Sequence, residues 1–115
     1  MKPAKLCVTV TADTMAELRT RRDQVRDADL IELRIDSVRD PSAAAALAGR
    51  RKPVIVTCRS KADGGWFAGS EDERRTILSE ALSLGAEYVD LEWQGRCADL
   101  MQKTGGRRID RKSVV

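Results

Sequence analysis

Four short runs of β-strand character alternate with segments of helical character along this chain, and that order limits its fold more than any other feature. The runs are Lys5–Thr11, Leu30–Asp36, Pro53–Arg59 and Tyr88–Trp93. Each intervening segment is long enough to carry the chain back to the starting edge of a sheet, so that consecutive strands run parallel with right-handed crossovers. The sequence therefore predicts an α/β fold with four parallel βα units.

Polar and apolar residues alternate within each run, which gives the predicted sheet two unlike faces. The apolar face comprises Leu6, Val8, Val10, Ile31, Leu33, Ile35, Val54, Val56, Cys58, Val89, Leu91 and Trp93. The polar face comprises Thr9, Thr11, Glu32, Arg34, Asp36, Thr57, Arg59, Asp90 and Glu92. A sheet covered by helices on both faces has strands that are apolar throughout. A (β/α)8 TIM barrel instead builds its active site from polar strand ends, and it contains eight units in about 200–250 residues. With 115 residues and four units, the chain is expected to form the truncated N-terminal half of such a barrel.

Capping residues predict where the helices begin and end. A Ser or Thr followed three residues later by Glu forms a capping box, Asp before Pro is an N-cap, and Gly favours the position after a helix. These signals are Thr14 with Glu17, Asp40 with Pro41, Ser70 with Glu73, and the glycines Gly49 and Gly85. In the third helix the predicted buried stripe is Ile77, Leu78, Ala81 and Leu82, with Glu73, Arg74, Ser79 and Glu80 away from it.

Composition excludes several classes of function. The formal charge is only +3, concentrated near the C-terminal end, and the aromatic residues are two Trp, one Tyr and one Phe, so nucleic-acid binding is not expected. No run resembles a signal peptide or a membrane span. The cysteines Cys7, Cys58 and Cys97 lack CxxC spacing, so we expect no disulfide framework, no zinc or other metal site, and a reduced cytoplasmic location.

The charges on the polar face need an explanation. Glu32, Arg34 and Asp36 would lie about 6.6 Å apart along one strand, at a rise of about 3.3 Å per residue. Together with Arg59, Asp90 and Glu92 they make two cations and four anions. Inside a barrel each unpaired ion would cost several kcal/mol, so it must be paired or must face a polar ligand. The pattern leaves open both a ligand site and a structural ion-pair network.

A glycine-rich segment, Lys61–Ser70, follows the third run. Gly64, Gly65 and Gly69 indicate a mobile or tightly turned loop at the polar end of the sheet, although a plain βα turn has the same composition. It is not a phosphate-binding loop, because no Lys-Ser or Lys-Thr pair follows at the required spacing.

Five motifs in this order resemble the type I 3-dehydroquinate dehydratase family. They are Glu32-Leu33-Arg34-Ile35-Asp36, Thr57-Cys58-Arg59, Asp63-Gly64-Gly65, Gly69-Ser70-Glu71 and Gly85-Ala86-Glu87-Tyr88-Val89-Asp90-Leu91-Glu92. The resemblance is collinear from Lys5 to about Ile109. It implies a (β/α)8 barrel lyase of the shikimate pathway of aromatic amino acid biosynthesis, which converts 3-dehydroquinate to 3-dehydroshikimate without a metal or an organic cofactor. In that family a lysine forms a Schiff base with the substrate and a histidine moves protons.

The resemblance also implies roles for individual residues. Glu32, Arg34 and Arg59 match the positions that bind substrate, and guanidinium donors with a carboxylate acceptor suit a hydroxylated acid. Three further positions carry over with differences or with supporting roles. Thr9 replaces a serine that contacts substrate, and Asp90 matches an aspartate that supports the catalytic histidine. Asp63 is a further candidate for substrate binding, but it replaces a glutamate that is one methylene longer, which leaves its own role open.

The catalytic lysine and histidine of the family fall beyond the matched residues. The histidine would follow a strand that begins near Arg108-Ile109, and the lysine would follow one strand later. The chain has no histidine at all, and Lys52, Lys61 and Lys103 do not lie on predicted strands. We therefore expect this chain alone to be inactive as a dehydratase.

The last six residues do not continue the family pattern. After residue 109 an apolar strand is expected, but Asp110-Arg111-Lys112-Ser113-Val114-Val115 follows. The string GATCGGAAGAGCGTCGTG, which matches a widely used sequencing adapter, encodes this hexapeptide. We hypothesise that residues 1–109 are a partial dehydratase barrel and that 110–115 are a non-native tail, the alternative being a naturally shortened gene.

Two other interpretations stay open. A half-barrel has open strand edges, so the chain could be a non-catalytic module that binds an anionic polyol or associates with itself, for instance as a homodimer. A different barrel family could share these strand ends. The sequence does not tell whether the full protein is fused to a second shikimate-pathway domain.

Overall fold

The computed structural model describes residues 6–91 and 108–110, which form one parallel sheet with helices on one side. The strands are β1 (Cys7–Val10), β2 (Leu30–Arg34), β3 (Val54–Thr57), β4 (Tyr88–Leu91) and β5 (Arg108–Asp110), and each pairs in parallel with the next in sequence. The helices are α1 (Met15–Gln24), α2 (Ala43–Leu47) and α3 (Glu71–Ser83). The predicted α/β fold of successive βα units is confirmed, and β5 lies where the sequence predicted the next strand to begin.

The core lies between the apolar face of the sheet and the helices. Leu33, Val56 and Val89 are fully buried, and Leu18 of α1 and Leu78 of α3 pack in the same cluster. Complete burial of each such side chain stabilises the fold by about 1.5–3 kcal/mol relative to exposure. The helices therefore fix which face of the sheet is left for polar side chains.

Two positions depart from the predicted alternation. Leu6 is 52% exposed, because it precedes β1 at the edge of the sheet. Ile55 occupies a polar-face position, in register with Glu32, and is nevertheless buried. Glu92 and Trp93, which the sequence assigned to the two faces, lie outside the described residues.

The helix ends follow the sequence signals at three places. Ser70 and Glu73 form a reciprocal capping box at α3. Gly49 and Gly85 follow α2 and α3 with φ of 72° and 91°, a left-handed conformation that favours glycine. At α1 only half of the predicted box forms.

In that half-formed box Thr14 accepts from the Glu17 N–H at 3.2 Å, whereas Glu17 accepts from the N–H of Asp13 rather than that of Thr14. The predicted start of α2 is wrong. Ser42, and not Asp40, is its N-cap, and the Asp40 carboxylate instead accepts from the Met15 N–H at 2.9 Å. Asp40 therefore makes a long-range hydrogen bond to the first residue of α1 instead of capping α2.

The buried stripe of α3 includes one residue that the sequence placed elsewhere. Leu78, Ala81 and Leu82 are buried and Ile77 is partly buried, as predicted. Arg74 is only 1% exposed, however. Its guanidinium donates to the Cys58 carbonyl at 3.2 Å and to the Glu71 carboxylate at 2.6 Å. The helical period placed Arg74 away from the buried stripe of α3. Its long side chain nevertheless reaches from the helix to the sheet, where it binds a carbonyl just after β3.

No helix in residues 6–91 combines the length and the apolar character needed to cross a membrane. Cys7 is an exposed free thiol and Cys58 a buried one. Cys97 lies outside the described residues.

Candidate active site

The Glu32 carboxylate stands at the centre of the polar face and is held by two hydroxyls. Thr9 Oγ1 donates to Oε1 at 2.8 Å, and Thr57 Oγ1 donates to Oε2 at 2.7 Å. The sheet register causes this arrangement, because Thr9 pairs with Glu32 across β1 and β2 and Thr57 lies two residues beyond its partner on β3. Glu32 is buried to 6% exposure and is fixed as a hydrogen-bond acceptor.

Arg34 and Asp36 form a two-point ion pair at the end of β2. Arg34 Nε donates to Asp36 Oδ1 at 3.0 Å and Nη2 donates to Oδ2 at 2.8 Å. Asp36 is not on the strand, contrary to the prediction. β2 ends at Arg34, and a single 3₁₀ turn over Ile35–Ser37 brings the Asp36 side chain back toward Arg34. This geometry is the bidentate one that guanidinium and carboxylate groups favour.

The electrostatic surroundings keep Arg34 charged. Burial lowers the pKa of its guanidinium, but the hydrogen bonds and charge of Asp36, with the charges of Glu32 and Asp90, raise that pKa by more. The three carboxylates therefore act on one guanidinium. The charges that stabilise the Arg34 cation thus come from β2, from the turn that follows it and from β4.

Arg59 and Asp90 form the second ion pair of the face. Arg59 Nη2 donates to Asp90 Oδ2 at 3.1 Å, and the two side chains are 19% and 1% exposed. Arg59 Nε is buried and has no acceptor among the described residues. The ion pair therefore leaves N–H groups of Arg59 that could donate hydrogen bonds to a ligand oxygen.

The loop after β3 packs its backbone against Arg59. The Phe67 N–H donates to the Arg59 carbonyl at 3.1 Å, and the Gly65 N–H donates to the Ser60 carbonyl at 2.8 Å. A Cβ on Gly65 would lie 2.6 Å from Arg59 Cβ and closer still to the Arg59 carbonyl oxygen, so only glycine fits this approach. Of the two loop types that the sequence allowed, the tightly turned one is observed. Asp63 ends the turn Lys61–Asp63, but its side chain lies outside the described part of the structure.

Trp66 is a site residue that the sequence analysis missed. Its backbone N–H donates to Asp36 Oδ2 at 3.2 Å, and its ring centroid lies 4.8 Å from Arg34 Cζ. A large aromatic residue between the glycines of a loop was the available signal. Its partner could not be read from the sequence, because Asp36 and Trp66 are 30 residues apart.

The polar face thus carries three carboxylates, two guanidiniums and two hydroxyls at the carboxyl ends of the strands. Glu32, Arg34, Arg59, Asp90 and Thr9 share this face as predicted, whereas Glu92 lies outside the described residues. Such a set can bind a hydroxylated anion through charge-assisted hydrogen bonds. Within the described ranges no three or more His, Cys, Asp or Glu side chains are grouped so that they could hold a metal ion.

A cleft of about 910 Å³ borders this face rather than containing it. Asp36 and Trp66 line it, together with residues of the turns after β1 and β2, but Thr9, Glu32 and Arg59 do not. The chemistry of the side chains, and not the volume of the cleft, therefore identifies the candidate site.

Comparison with known proteins identifies the family. The family model described as type I 3-dehydroquinase matches residues 6–111. The chain belongs to the type I 3-dehydroquinase family. This membership excludes the interpretation as a different barrel family.

Two relatives and one solved structure show how much of a type I 3-dehydroquinase the chain spans. The 3-dehydroquinate dehydratase of Desulfotalea psychrophila is 35% identical over 80% of this chain and 41% of that protein. That of Methanothermobacter thermautotrophicus is 36% identical over 96% of this chain and 51% of that protein. The chain thus spans about half the length of these relatives or less.

The structure titled dehydroquinate dehydratase and shikimate dehydrogenase from S. pombe AroM matches 96% of this chain and 24% of its own chain. The TM-score is 0.69 at 21% identity. At that identity the likeness shows the fold, which agrees with a segment of a type I 3-dehydroquinase barrel.

Proposed function

We propose that this chain is the substrate-binding half of a 3-dehydroquinate dehydratase, a lyase that converts 3-dehydroquinate to 3-dehydroshikimate in the cytoplasm. One observation carries the proposal. Two arginines, each held by its own carboxylate, stand on the same sheet face as a buried, hydroxyl-bound glutamate. The names of the relatives supply the substrate.

The residues divide between the groups of such a substrate. Arg34 and Arg59 supply N–H donors to its carboxylate and hydroxyl oxygens, and Glu32 accepts from a hydroxyl. Thr9 adds a hydroxyl at the edge of the face. Charge-assisted bonds of this kind are roughly twice as strong as neutral ones, so they account for selectivity toward an anion.

The chemical step would come from residues outside this chain. The sequence has no histidine. Among its lysines, Lys52 donates to the Ala28 carbonyl at 3.0 Å and Lys61 is exposed on the loop. We therefore place the Schiff-base lysine and the proton-moving histidine in the segment that follows residue 109 in the full protein, with Asp90 supporting that histidine. No cofactor is assigned to the reaction.

The test compares two products of the source gene. The 115-residue chain and a product extended through the codons after Ile109 are each mixed with 3-dehydroquinate, and enone absorbance is followed. We expect turnover from the extended product and only the buffer rate from the chain alone. An extended product that folds but does not dehydrate the substrate would refute the function, and turnover by the short chain would refute its inactivity.

Substitutions in the extended product test the assigned residues. Glu32→Gln and Arg59→Met each remove one charged group of the face, and Arg19→Met removes an exposed arginine of α1. Losing a charge-assisted hydrogen bond to the substrate costs about 1.5–3 kcal/mol, a roughly 10- to 150-fold loss in kcat/KM. Arg19→Met is expected to change it less than about twofold, since exposed substitutions away from a site have small effects.

The tail hypothesis has its own test. We propose that 110–115 are not native, although β5 runs to Asp110 and the family match to residue 111. Sequencing the source locus past the codon for Ile109 decides it, because a stop codon directly after Val115 in genomic DNA would contradict the proposal.

A non-catalytic, self-associating module is the second candidate. Leu6 is 52% exposed and Cys7 is exposed at β1, whose only partner among the described strands is β2. An unpaired strand edge of this kind favours association. A sharp dimer in size-exclusion chromatography of the chain would support the module, and a monomer would exclude it.

A further inference from the structure

Trp66 contacts both members of the ion pair at the end of β2. Its ring centroid lies 4.8 Å from Arg34 Cζ, and its backbone N–H donates to Asp36 Oδ2 at 3.2 Å. The residue is 53% exposed. Core burial therefore does not explain why so large a ring occupies this position.

The guanidinium of Arg34 is restrained by two different residues. In its plane, Nε and Nη2 donate to the two Asp36 oxygens. Its Cζ also lies over the Trp66 ring, whose negative face attracts a cation. Among the described residues, no hydrogen-bond acceptor engages Nη1. The arrangement holds the charged group in one orientation with one nitrogen left to bind a ligand.

The residue after Trp66 anchors the same loop to the other arginine. The Phe67 N–H donates to the Arg59 carbonyl at 3.1 Å, and Phe67 forms a bridge with Ser60. The position of the indole is therefore set by the end of β3. Through this dipeptide, one loop fixes the ends of both arginine-bearing strands relative to each other.

We propose that Trp66 is a positioning residue that acts through Arg34, orienting its guanidinium so that Nη1 meets an anionic or hydroxyl oxygen of the substrate. This inference rests on the proposed dehydratase function. It assigns a part in substrate affinity to a loop residue that contacts the guanidinium of Arg34.

The kinetic test uses the extended gene product. Trp66→Phe keeps an aromatic face, Trp66→Leu keeps apolar bulk without one, and Leu84→Ala changes another exposed apolar residue, 47% exposed, at the end of α3. We expect Trp66→Leu to raise KM about tenfold with kcat changed less than about threefold, and Trp66→Phe to stay within about threefold in both. Leu84→Ala should match the unsubstituted product.

A second measurement does not depend on turnover. In the 115-residue chain, Arg34 Cζ lies 4.8 Å from the indole centroid, so the proposed stacking should shift the Nε–H proton resonance upfield. Trp66→Leu should move that signal downfield, while Leu84→Ala leaves it in place. Arg34→Lys identifies the signal by its loss.

The outcomes separate the two proposals. If the unsubstituted product does not dehydrate 3-dehydroquinate, the proposed function fails, while the Arg34 signal still decides whether Trp66 orients the guanidinium. If turnover is normal but Trp66→Leu leaves KM and the Arg34 signal unchanged, or if Trp66→Phe is as impaired as Trp66→Leu, the positioning role is overturned.

Discussion

Arg59 donates to Asp90 across 3.1 Å and so joins the carboxyl ends of β3 and β4 through side chains. The carboxylate is 1% exposed and the guanidinium 19% exposed. A charge buried in this way depends on its partner, because removing one member leaves the other desolvated. The pair therefore links the ends of two strands and, in the proposed function, holds Arg59 in place for the substrate.

Asp90→Asn is expected to destabilise the chain by about 2–3 kcal/mol, toward the lower end for a buried pair because Arg59 is partly exposed. Urea unfolding followed by circular dichroism measures the change. Asp27→Asn, at an exposed position of the α1–β2 loop, is the matched control. Equal midpoints for the two variants would show that the pair contributes nothing to stability.

Glu32→Gln is expected to cost about 1 kcal/mol of stability, since the amide keeps the shape while one of its two ends can no longer accept from a hydroxyl. The residues concerned are Thr9 and Thr57. Comparing urea midpoints with Glu80→Gln, an exposed change on α3, isolates the effect. A Glu32→Gln protein as stable as the control would contradict the hydrogen-bonded geometry.

Arg74→Met should lower the free energy of unfolding by about 2 kcal/mol, because the buried Cys58 carbonyl loses its charged donor. Methionine fills much of the space of the arginine stem, so cavity formation contributes little. Arg19→Met, at an exposed position of the neighbouring α1, should be nearly neutral. If both variants unfold at the same urea concentration, Arg74 has no structural role.

Gly65→Ala should displace the loop after β3, since the new Cβ would lie 2.6 Å from Arg59 Cβ. In the extended gene product we expect weaker substrate binding, seen as a higher KM. The exposed substitution Ala68→Ser in the same loop serves as control. An unchanged KM for Gly65→Ala would mean that the close approach to Arg59 is not needed for binding.

Stability should fall in acid partly through Glu87. Burial raises the pKa of its carboxyl, but hydrogen bonds from Arg50 and from the Val54 N–H lower that pKa by more, to below its ordinary value of 4.5. A carboxyl with a lowered folded-state pKa stabilises the fold above its unfolded-state pKa, and this contribution is lost as the pH falls through the folded-state pKa.

The matching experiment records urea midpoints between pH 7 and about pH 3 for the unsubstituted chain and for Glu87→Gln. The variant should start lower at neutral pH and lose less stability on acidification. Glu80→Gln should follow the unsubstituted curve. Parallel curves for Glu87→Gln and the unsubstituted chain would exclude this carboxyl as a source of acid sensitivity.

Much of the fold follows from local rules in the sequence. Alternation with a period of two assigned Glu32 and Arg34 to one face and Leu33 to the other, because side chains of a strand point in opposite directions in turn. The capping box of Ser70 and Glu73 involves residues three apart, so the sequence alone defines it.

The remaining features depend on contacts between distant residues, which local rules do not contain. The turn that carries Asp36 to Arg34, the burial of Arg74 and the stacking of Trp66 each need the tertiary arrangement. The start of α2 was misplaced for the same reason, since Asp40 binds the backbone of Met15. The role of Asp63 stays a prediction.

Each described strand after β1 pairs with the one before it in sequence, and this order has a consequence for folding during synthesis. The side-chain contacts of the polar face span 23 residues between Thr9 and Glu32, 25 between Glu32 and Thr57, and 31 between Arg59 and Asp90. Closing loops of such similar length costs similar entropy. A nascent chain can therefore assemble this face stepwise as each unit leaves the ribosome, with all of its described partners released once residue 91 has emerged.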